Sequence, residues 1–242
     1  MQSELSVAAS SQTKLDLDSH IQPCPETYEL VAGEIGVKYK SMFDDLMHSL
    51  PPEKADRVRG FAAPESDIWT DETVWTVKGS GAPGAVSPEG RIRTLDHMGV
   101  ARSLIFSDPG VQATAMGTGE LALDTMRHWN DFIVNFSATD PNRLRGVAIL
   151  NTESVSTAVI EATRVLNAGG RAFVLPSSVP PGDASPASHE MDPLWAMLSE
   201  ANATVTLHAG GEEGFLASQK WDDGVAHLKF DTIDYSAEGE QI

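Results

Sequence analysis

The sequence predicts an α/β fold, an incomplete (β/α)8 TIM barrel with about five of its eight strands, and three observations predict it. Short apolar runs alternate with amphipathic helical patterns from about residue 91 to 208, the rhythm of βαβ units around a parallel sheet. An earlier run, Leu-Asp-Leu-Asp-Ser-His at 15–20, and the last of these, at 203–208, end on side chains able to bind a divalent metal. Barrel active sites form at such C-terminal strand ends, where loops vary over a rigid scaffold. Length is the third constraint. The first strand and the segment after it carry the chain to about residue 100, whereas a closed barrel takes about 250 residues in all.

Taken in order, strands are expected at 15–20, 101–106, 144–150, 171–176 and 203–208. Several, such as Leu-Arg-Gly-Val-Ala-Ile-Leu at 144–150, are nearly continuous apolar runs, as strands covered on both faces require. Residues 119–137 set Leu121, Met126, Trp129, Ile133 and Phe136 at near-helical spacing, closed by Asp140-Pro141-Asn142. Residues 154–168 align Val155, Val159, Ala162, Val165 and Leu166 and stop at Gly169-Gly170. A helix over 192–202 starts at Asp192-Pro193, with Asp as cap and Pro in the first turn.

The stretch 21–90 breaks the rhythm, with turn-rich pieces such as Gly79-Ser80-Gly81-Ala82-Pro83-Gly84 and two tryptophans, Trp69 and Trp75. It reads either as an elaborate loop over the barrel mouth or as a surface excursion without a role. Residues 1–14, rich in Ser and Gln and lacking an apolar signal core, read as a flexible tail, and 15–242 as one partial barrel. After His208 the chain turns polar, with 225–230 as a short strand candidate.

Composition narrows the function. With 35 acidic and 17 basic residues the net charge is −18, which excludes nucleic acid as a partner and disfavours anionic membrane surfaces. The balance says little about substrate, because a bound metal makes a site locally cationic. No run of about 18 apolar residues is present, so no transmembrane helix is expected. Cys24 is the lone cysteine; it rules out an intrachain disulfide and reads as a small packed residue. These features together predict a cytoplasmic protein.

Asp18 and His20, two apart on a strand, point the same way. A hard carboxylate and a borderline imidazole suit Zn²⁺, Mn²⁺ or Mg²⁺. Asp-x-His is a common spacing, equally that of strand-end turn residues; its place at the end of the first strand is what favours a metal. His208 also ends an apolar strand, and the Ala-Gly-Gly after it lets a ligand approach closely. His189 falls in a Pro/Ser/Gly-rich loop at 176–190, while His48, His97, His128 and His227 default to surface or packing. Asp108-Pro109-Gly110 reads as a turn after the second strand. Arg143, Arg145 and Arg171 flank strand starts, the structural side of a barrel, and read as salt-bridge residues. A nucleotide-binding reading lacks the phosphate-cradling glycine loop, and a serine hydrolase lacks the Gly-x-Ser-x-Gly elbow.

Several segments together resemble a known family. They are Asp-Leu-Asp-Ser-His at 16–20, Asp-His-Met-Gly-Val-Ala-Arg-Ser-Leu-Ile-Phe at 96–106, Trp-Asn-Asp-Phe at 129–132, and Asp-Pro-Asn-Arg-Leu-Arg-Gly-Val-Ala-Ile-Leu at 140–150. Asp-Pro-Leu-Trp at 192–195, leading to Leu-His-Ala-Gly at 207–210, completes the set. In this order they resemble the amidohydrolase-2 family, metal-dependent hydrolases and decarboxylases similar to aminocarboxymuconate semialdehyde decarboxylase. The resemblance implies a barrel holding one divalent metal, Zn²⁺ or Mn²⁺, on Asp18, His20 and His208. A small carboxylated, aromatic or unsaturated substrate is then expected, and Phe106, Trp69 and Trp75 are candidates to flank it on their aromatic character alone. Two family elements, an acid/base His on strand six and a ligand Asp on strand eight, find no counterpart before residue 242, and His227 lies too near His208 for the first. The expectation is therefore the N-terminal part of a hydrolase or decarboxylase. The alternative is a truncated, inactive chain, or one that completes its barrel with a partner; open sheet edges favour self-association into a homo-oligomer.

Overall fold

The computed structural model describes residues 13–151, 153–177 and 185–208. Within them, strands β1 (Leu15–His20), β2 (Arg102–Phe106) and β3 (Leu144–Gly146) form one parallel sheet in that order. Strands β4 (Ala148–Ile149), β5 (Ala172–Leu175) and β6 (Thr204–Leu207) form a second. Only Val147 separates β3 from β4, so the run expected at 144–150 is one path of chain shared by both sheets. Its two edges face different partners: Val147 N–H bonds Ile105 O at 2.8 Å on the β2 side, and Leu150 N–H bonds Val174 O at 3.1 Å on the β5 side. Strand, helix and strand alternate in sequence and in space, an α/β fold with parallel sheets.

The interruption at Val147 has a visible cause. Beyond this residue the ladder between β2 and β3 stops, and side chains of the long helix α7 (Glu120–Ala138) take over the freed backbone groups. Trp129 Nε1 donates to Val147 O at 3.0 Å. Asn130 accepts from Ile149 N–H at 2.7 Å and donates to Ile149 O at 2.9 Å. Buried backbone groups must find partners, and α7 supplies them where the strands splay. Around this point alternate residues sort to two cores. Val147, Ile149, Ala172 and Val174 join Ile105, Trp129 and Ile133. Ala148, Leu150, Phe173 and Leu175 pack with α8 (Val155–Asn167) and α9 (Asp192–Glu200) through Ala162, Val165, Leu194 and Leu198. Both faces of the central strands are thus covered, which explains their unbroken apolar runs.

Helices α7, α8 and α9 fall where the periodicity places them. The segment after β1 differs from its turn-rich reading, because it folds into α1 (Tyr28–Ala32), α2 (Glu34–Ser49), α3 (Pro52–Phe61) and α4 (Asp71–Thr76). These escape a pattern search because they bury little: α2 buries only Gly36 and Met47, so no continuous apolar stripe marks it. Helix α5 (Pro88–Met98) then leads into β2. Asp108-Pro109-Gly110, read as a turn, instead opens α6 (Pro109–Ala115): Asp108 Oδ1 accepts from Gly110 N–H at 2.8 Å, and Pro109 takes the first helical position. Of the arginines expected to form salt bridges, Arg143 pairs with Asp96 at 2.5 Å, whereas Arg171 donates instead to a backbone carbonyl, Leu166 O, at 2.8 Å. Cys24 is buried and free. Most of the N-terminal tail, the strand candidate at 225–230 and His227 lie outside the described residues. Among the described residues, no helix is long and apolar enough to cross a membrane.

Candidate metal centre

The C-terminal tips of β1 and β6 converge. Asp18 Oδ1 lies 3.3 Å from His20 Nε2 and 2.9 Å from His208 Nε2, although 190 residues separate Asp18 from His208 in sequence. The donor atoms of Asp18, His20 and His208 all lie within 4.8 Å of one another. Metal bonds of about 2.0–2.2 Å at right to tetrahedral angles hold neighbouring donors about 2.9–3.5 Å apart. The Asp18 contacts already match this spacing, and the two imidazole nitrogens lie within 4.8 Å of each other. Nitrogen and carboxylate donors suit a borderline divalent ion, and three protein ligands leave coordination positions open. The residues present fit the metal that the sequence implies.

Local structure explains why these atoms meet. The β1–β2 register shifts between Asp16 and Ser19, so the strand is irregular where Asp18 sits. Beyond it His20 and Phe106 pair in register, and Ile21 N–H bonds Phe106 O at 2.9 Å. His20 Nδ1 lies 2.7 Å from Ser107 O. A carbonyl only accepts, so Nδ1 carries the proton and Nε2 keeps its lone pair for a metal. The buried Phe106 ring braces both imidazoles, its centroid 5.8 Å from that of His20 and 4.5 Å from that of His208. The Asp18 side chain is 73% exposed, so the triad opens to solvent on the carboxylate side. Its hydrogen bond with His208, aided by the charge of the two imidazoles and opposed by partial burial, holds the Asp18 carboxyl below its ordinary range.

A cavity of about 470 Å³ adjoins the site, lined in part by Asp18, His20, Lys78, Gly84 and Arg91. The segment after β1 therefore does reach the triad, through the loop between α4 and α5. Phe106 stands beside the triad, but the two tryptophans expected to flank a substrate do not line this cavity. Trp69 is engaged by α5, donating from Nε1 to Thr94 Oγ1 at 3.1 Å while the Arg93 guanidinium lies 3.9 Å from its ring centroid. Trp75 stands on α4 with 54% of its surface exposed. His189 is exposed and pairs with Asp192 at 3.0 Å.

Sequence reasoning missed two supports of the site. A backbone carbonyl such as that of Ser107 leaves no mark in a single sequence. Arg91 did leave one: it lies four residues before Leu95, hence on the same helix face, and both are buried.

A parallel α/β sheet carrying a carboxylate–imidazole triad at its strand tips defines the barrel proteins that hold a divalent metal at their C-terminal face. This chain belongs to the amidohydrolase family, whose sequence model matches residues 94–237. That span includes His208, while Asp18 and His20 precede it. Among solved structures, the chain is similar to an amidohydrolase from Mycobacterium avium subsp. paratuberculosis K-10, with a TM-score of 0.56 at 14% identity over 84% of this chain and 60% of that one. This likeness is one of fold, an α/β arrangement of parallel strands and helices shared with an amidohydrolase-type barrel. A dihydroxybenzoic acid decarboxylase from Polaromonas sp. JS666, with bound manganese and 2-nitroresorcinol, superposes with a TM-score of 0.49 at 19% identity, over 88% of this chain and 53% of that one. A 2,6-dihydroxybenzoate decarboxylase from Rhizobium gives 0.49 at 15% identity, over 88% and 54%. The chain thus spans between 53% and 60% of the length of these three structures. No curated protein matches it.

Proposed function

We propose that this chain binds one divalent metal ion, Zn²⁺ or Mn²⁺, through Asp18, His20 and His208, and that the protein acts as a metal-dependent hydrolase or decarboxylase on a small carboxylated, aromatic substrate. The observation that supports this best is the convergence of three donor side chains, from the first strand of one described sheet and the end of the last strand of the other, onto one point. When bound, the ion supplies Lewis-acid polarisation of a carboxylate or carbonyl oxygen.

The chain's own residues do the rest. Ser107 O fixes the His20 tautomer, Phe106 packs against both imidazoles, and Asp18 presents an anionic oxygen to each of them. The exposed flank at Asp18 is the entrance for substrate. Lys78, at the rim of the adjoining cavity, offers a cation to an incoming carboxylate.

Metal content of the purified protein by elemental mass spectrometry tests this reading, with a His20→Ala/His208→Ala double variant alongside. Near-stoichiometric Zn or Mn in the wild type, absent from the variant, is expected. Equal metal in both, or none in the wild type after loading, would refute the assignment. Given a loaded protein, turnover of carboxylated phenols separates decarboxylation from hydrolysis by the release of CO₂.

A further inference from the structure

Behind the β1 tip lies a buried guanidinium. Arg91, on α5, is 7% exposed, and no ion pair with it occurs among the described residues. A buried, unpaired charge is costly, so its hydrogen bonds show what the fold obtains in return. Nε donates to Gly84 O at 2.6 Å, and Nη2 to His20 O at 2.8 Å and Ala85 O at 3.3 Å. Nη1 donates to Ser19 Oγ. Two of these acceptors belong to the tip of β1, on and beside the residues that present Asp18 and His20; the others belong to the loop that walls the adjoining cavity.

That loop is itself fixed. The Glu65 carboxylate accepts from the backbone N–H groups of Gly84, Val86 and Ser87 at 3.0, 2.7 and 2.9 Å. Gly84 holds φ at +77°, and a Cβ there would meet Arg91 N at 2.6 Å, so loop and helix are in close contact. Burial pulls the Arg91 pKa down to about 10, with the charges of Asp16 and Glu65 opposing it, so the group stays cationic at neutral pH. Along this edge of β1 no strand pairs among the described residues. The planar fork therefore does what a neighbouring strand would do, gripping Ser19 and His20 just past the register shift.

We propose that Arg91 is a positioning residue of the metal centre: its guanidinium locks the β1 tip against the loop at 84–85, and so sets the separation of Asp18, His20 and His208. This rests on the metal assignment made above.

Arg91→Lys keeps the charge but loses the planar fork, and Ser19→Ala removes one acceptor with little risk to folding. Mn²⁺ affinity is measured for both by competition with a chelating dye, alongside the urea midpoint. Arg143→Ala, which frees the Val100 and Ala101 carbonyls at the start of β2 and so destabilises the fold at the end opposite the strand tips, is the control. Residues that orient metal ligands typically carry 10–100-fold in affinity. Arg91→Lys should therefore weaken Mn²⁺ binding by roughly 10–100-fold, and Ser19→Ala by about tenfold or less, in the same sense. Arg143→Ala should bind as the wild type does. If either β1-tip variant weakens binding while the control does not, the proposal stands, even where Arg91→Lys fails to fold. Unchanged affinity in the folded variants, or an equal loss in the control, overturns it and leaves the metal assignment intact. A wild-type chain that takes up no Mn²⁺ overturns both, and that outcome is distinct from the others.

Discussion

The Asn130 side chain is a sensitive point of the fold, and replacing it with alanine isolates its role. Asn130 and Ile149 are both fully buried. The amide accepts from Ile149 N–H at 2.7 Å, donates to Ile149 O at 2.9 Å and donates to Glu161 Oε1 at 2.7 Å. Truncation leaves both Ile149 backbone groups without partners in a dry environment, each worth about 1–3 kcal/mol. Glu161 retains Arg164, which bonds both of its oxygens, so its loss is small. The expected sum is about 3–5 kcal/mol, allowing for partial relaxation. With a urea m-value of about 2 kcal/mol/M, the midpoint should fall by roughly 1.5–2.5 M. Hydrogen exchange at the Ile149 amide should accelerate at the same time. A midpoint within about 0.3 M of the wild type would refute the reasoning, because it would mean that water or a strand neighbour serves Ile149 as well as Asn130 does.

Other perturbations probe other joints. Gly146→Ala would set a Cβ 2.3 Å from Ile133 Cγ1 and 2.8 Å from Ile133 O; since the backbone of α7 cannot yield cheaply, a loss of about 1–3 kcal/mol is expected by thermal melting, and a neutral result would argue against this close approach. Tyr28 donates to Asp108 Oδ1 at 2.7 Å, and Tyr28→Phe should cost about 1–2 kcal/mol in urea unfolding. Burial first, and then the Asp108 charge, raise the Tyr28 pKa above its ordinary value of 10. The folded phenol thus keeps a proton that the unfolded chain releases, so this contribution is complete below pH 10 and declines as pH rises beyond it. Tyr28→Phe should flatten that alkaline decline; an identical pH profile in the variant would contradict the assignment. Finally, Mn²⁺ at 100 times its Kd should raise the unfolding free energy by about 2.7 kcal/mol, an effect absent in His208→Ala.

What the sequence discloses and what it hides follow from where side chains get their meaning. The strands are legible because central parallel strands are covered on both faces, so Ala148, Ile149, Phe173 and Val174 had to be apolar without interruption. Asp18 and His20 are legible because strand alternation is local. His208 joins them only through topology, yet sequential parallel strands bring their C-terminal ends to one side, which made the inference available. Helices α2 and α3 are hidden because they lean lightly on the core, and Trp69 was assigned to substrate on aromatic character alone, where the structure gives it to Thr94 and Arg93. Arg91 hides for the opposite reason: an arginine in a helix defaults to solvent, and only the set of backbone carbonyls around it makes burial tolerable.

The splayed sheet and the triad have a common origin. Were the β2–β3 ladder to continue past Val147, Trp129 and Asn130 would have no backbone to serve, and the strand ends would stay parallel and evenly spaced. Because α7 intervenes there, the path of chain turns from β2 toward β5 and the sheet bends. A flat sheet of five strands, with neighbours about 4.8 Å apart, would hold its first and last members about 19 Å from each other. Contact between Asp18 and His208 at 2.9 Å therefore requires strong curvature at the C-terminal face. Toward the start of β1, among the described residues, Leu15 and Leu17 are instead 54% and 67% exposed. The curvature is thus held at the tips, by the α7 wedge on one side of the mouth and the Arg91 fork on the other. A cation shared by Asp18, His20 and His208 would act where these two devices already converge.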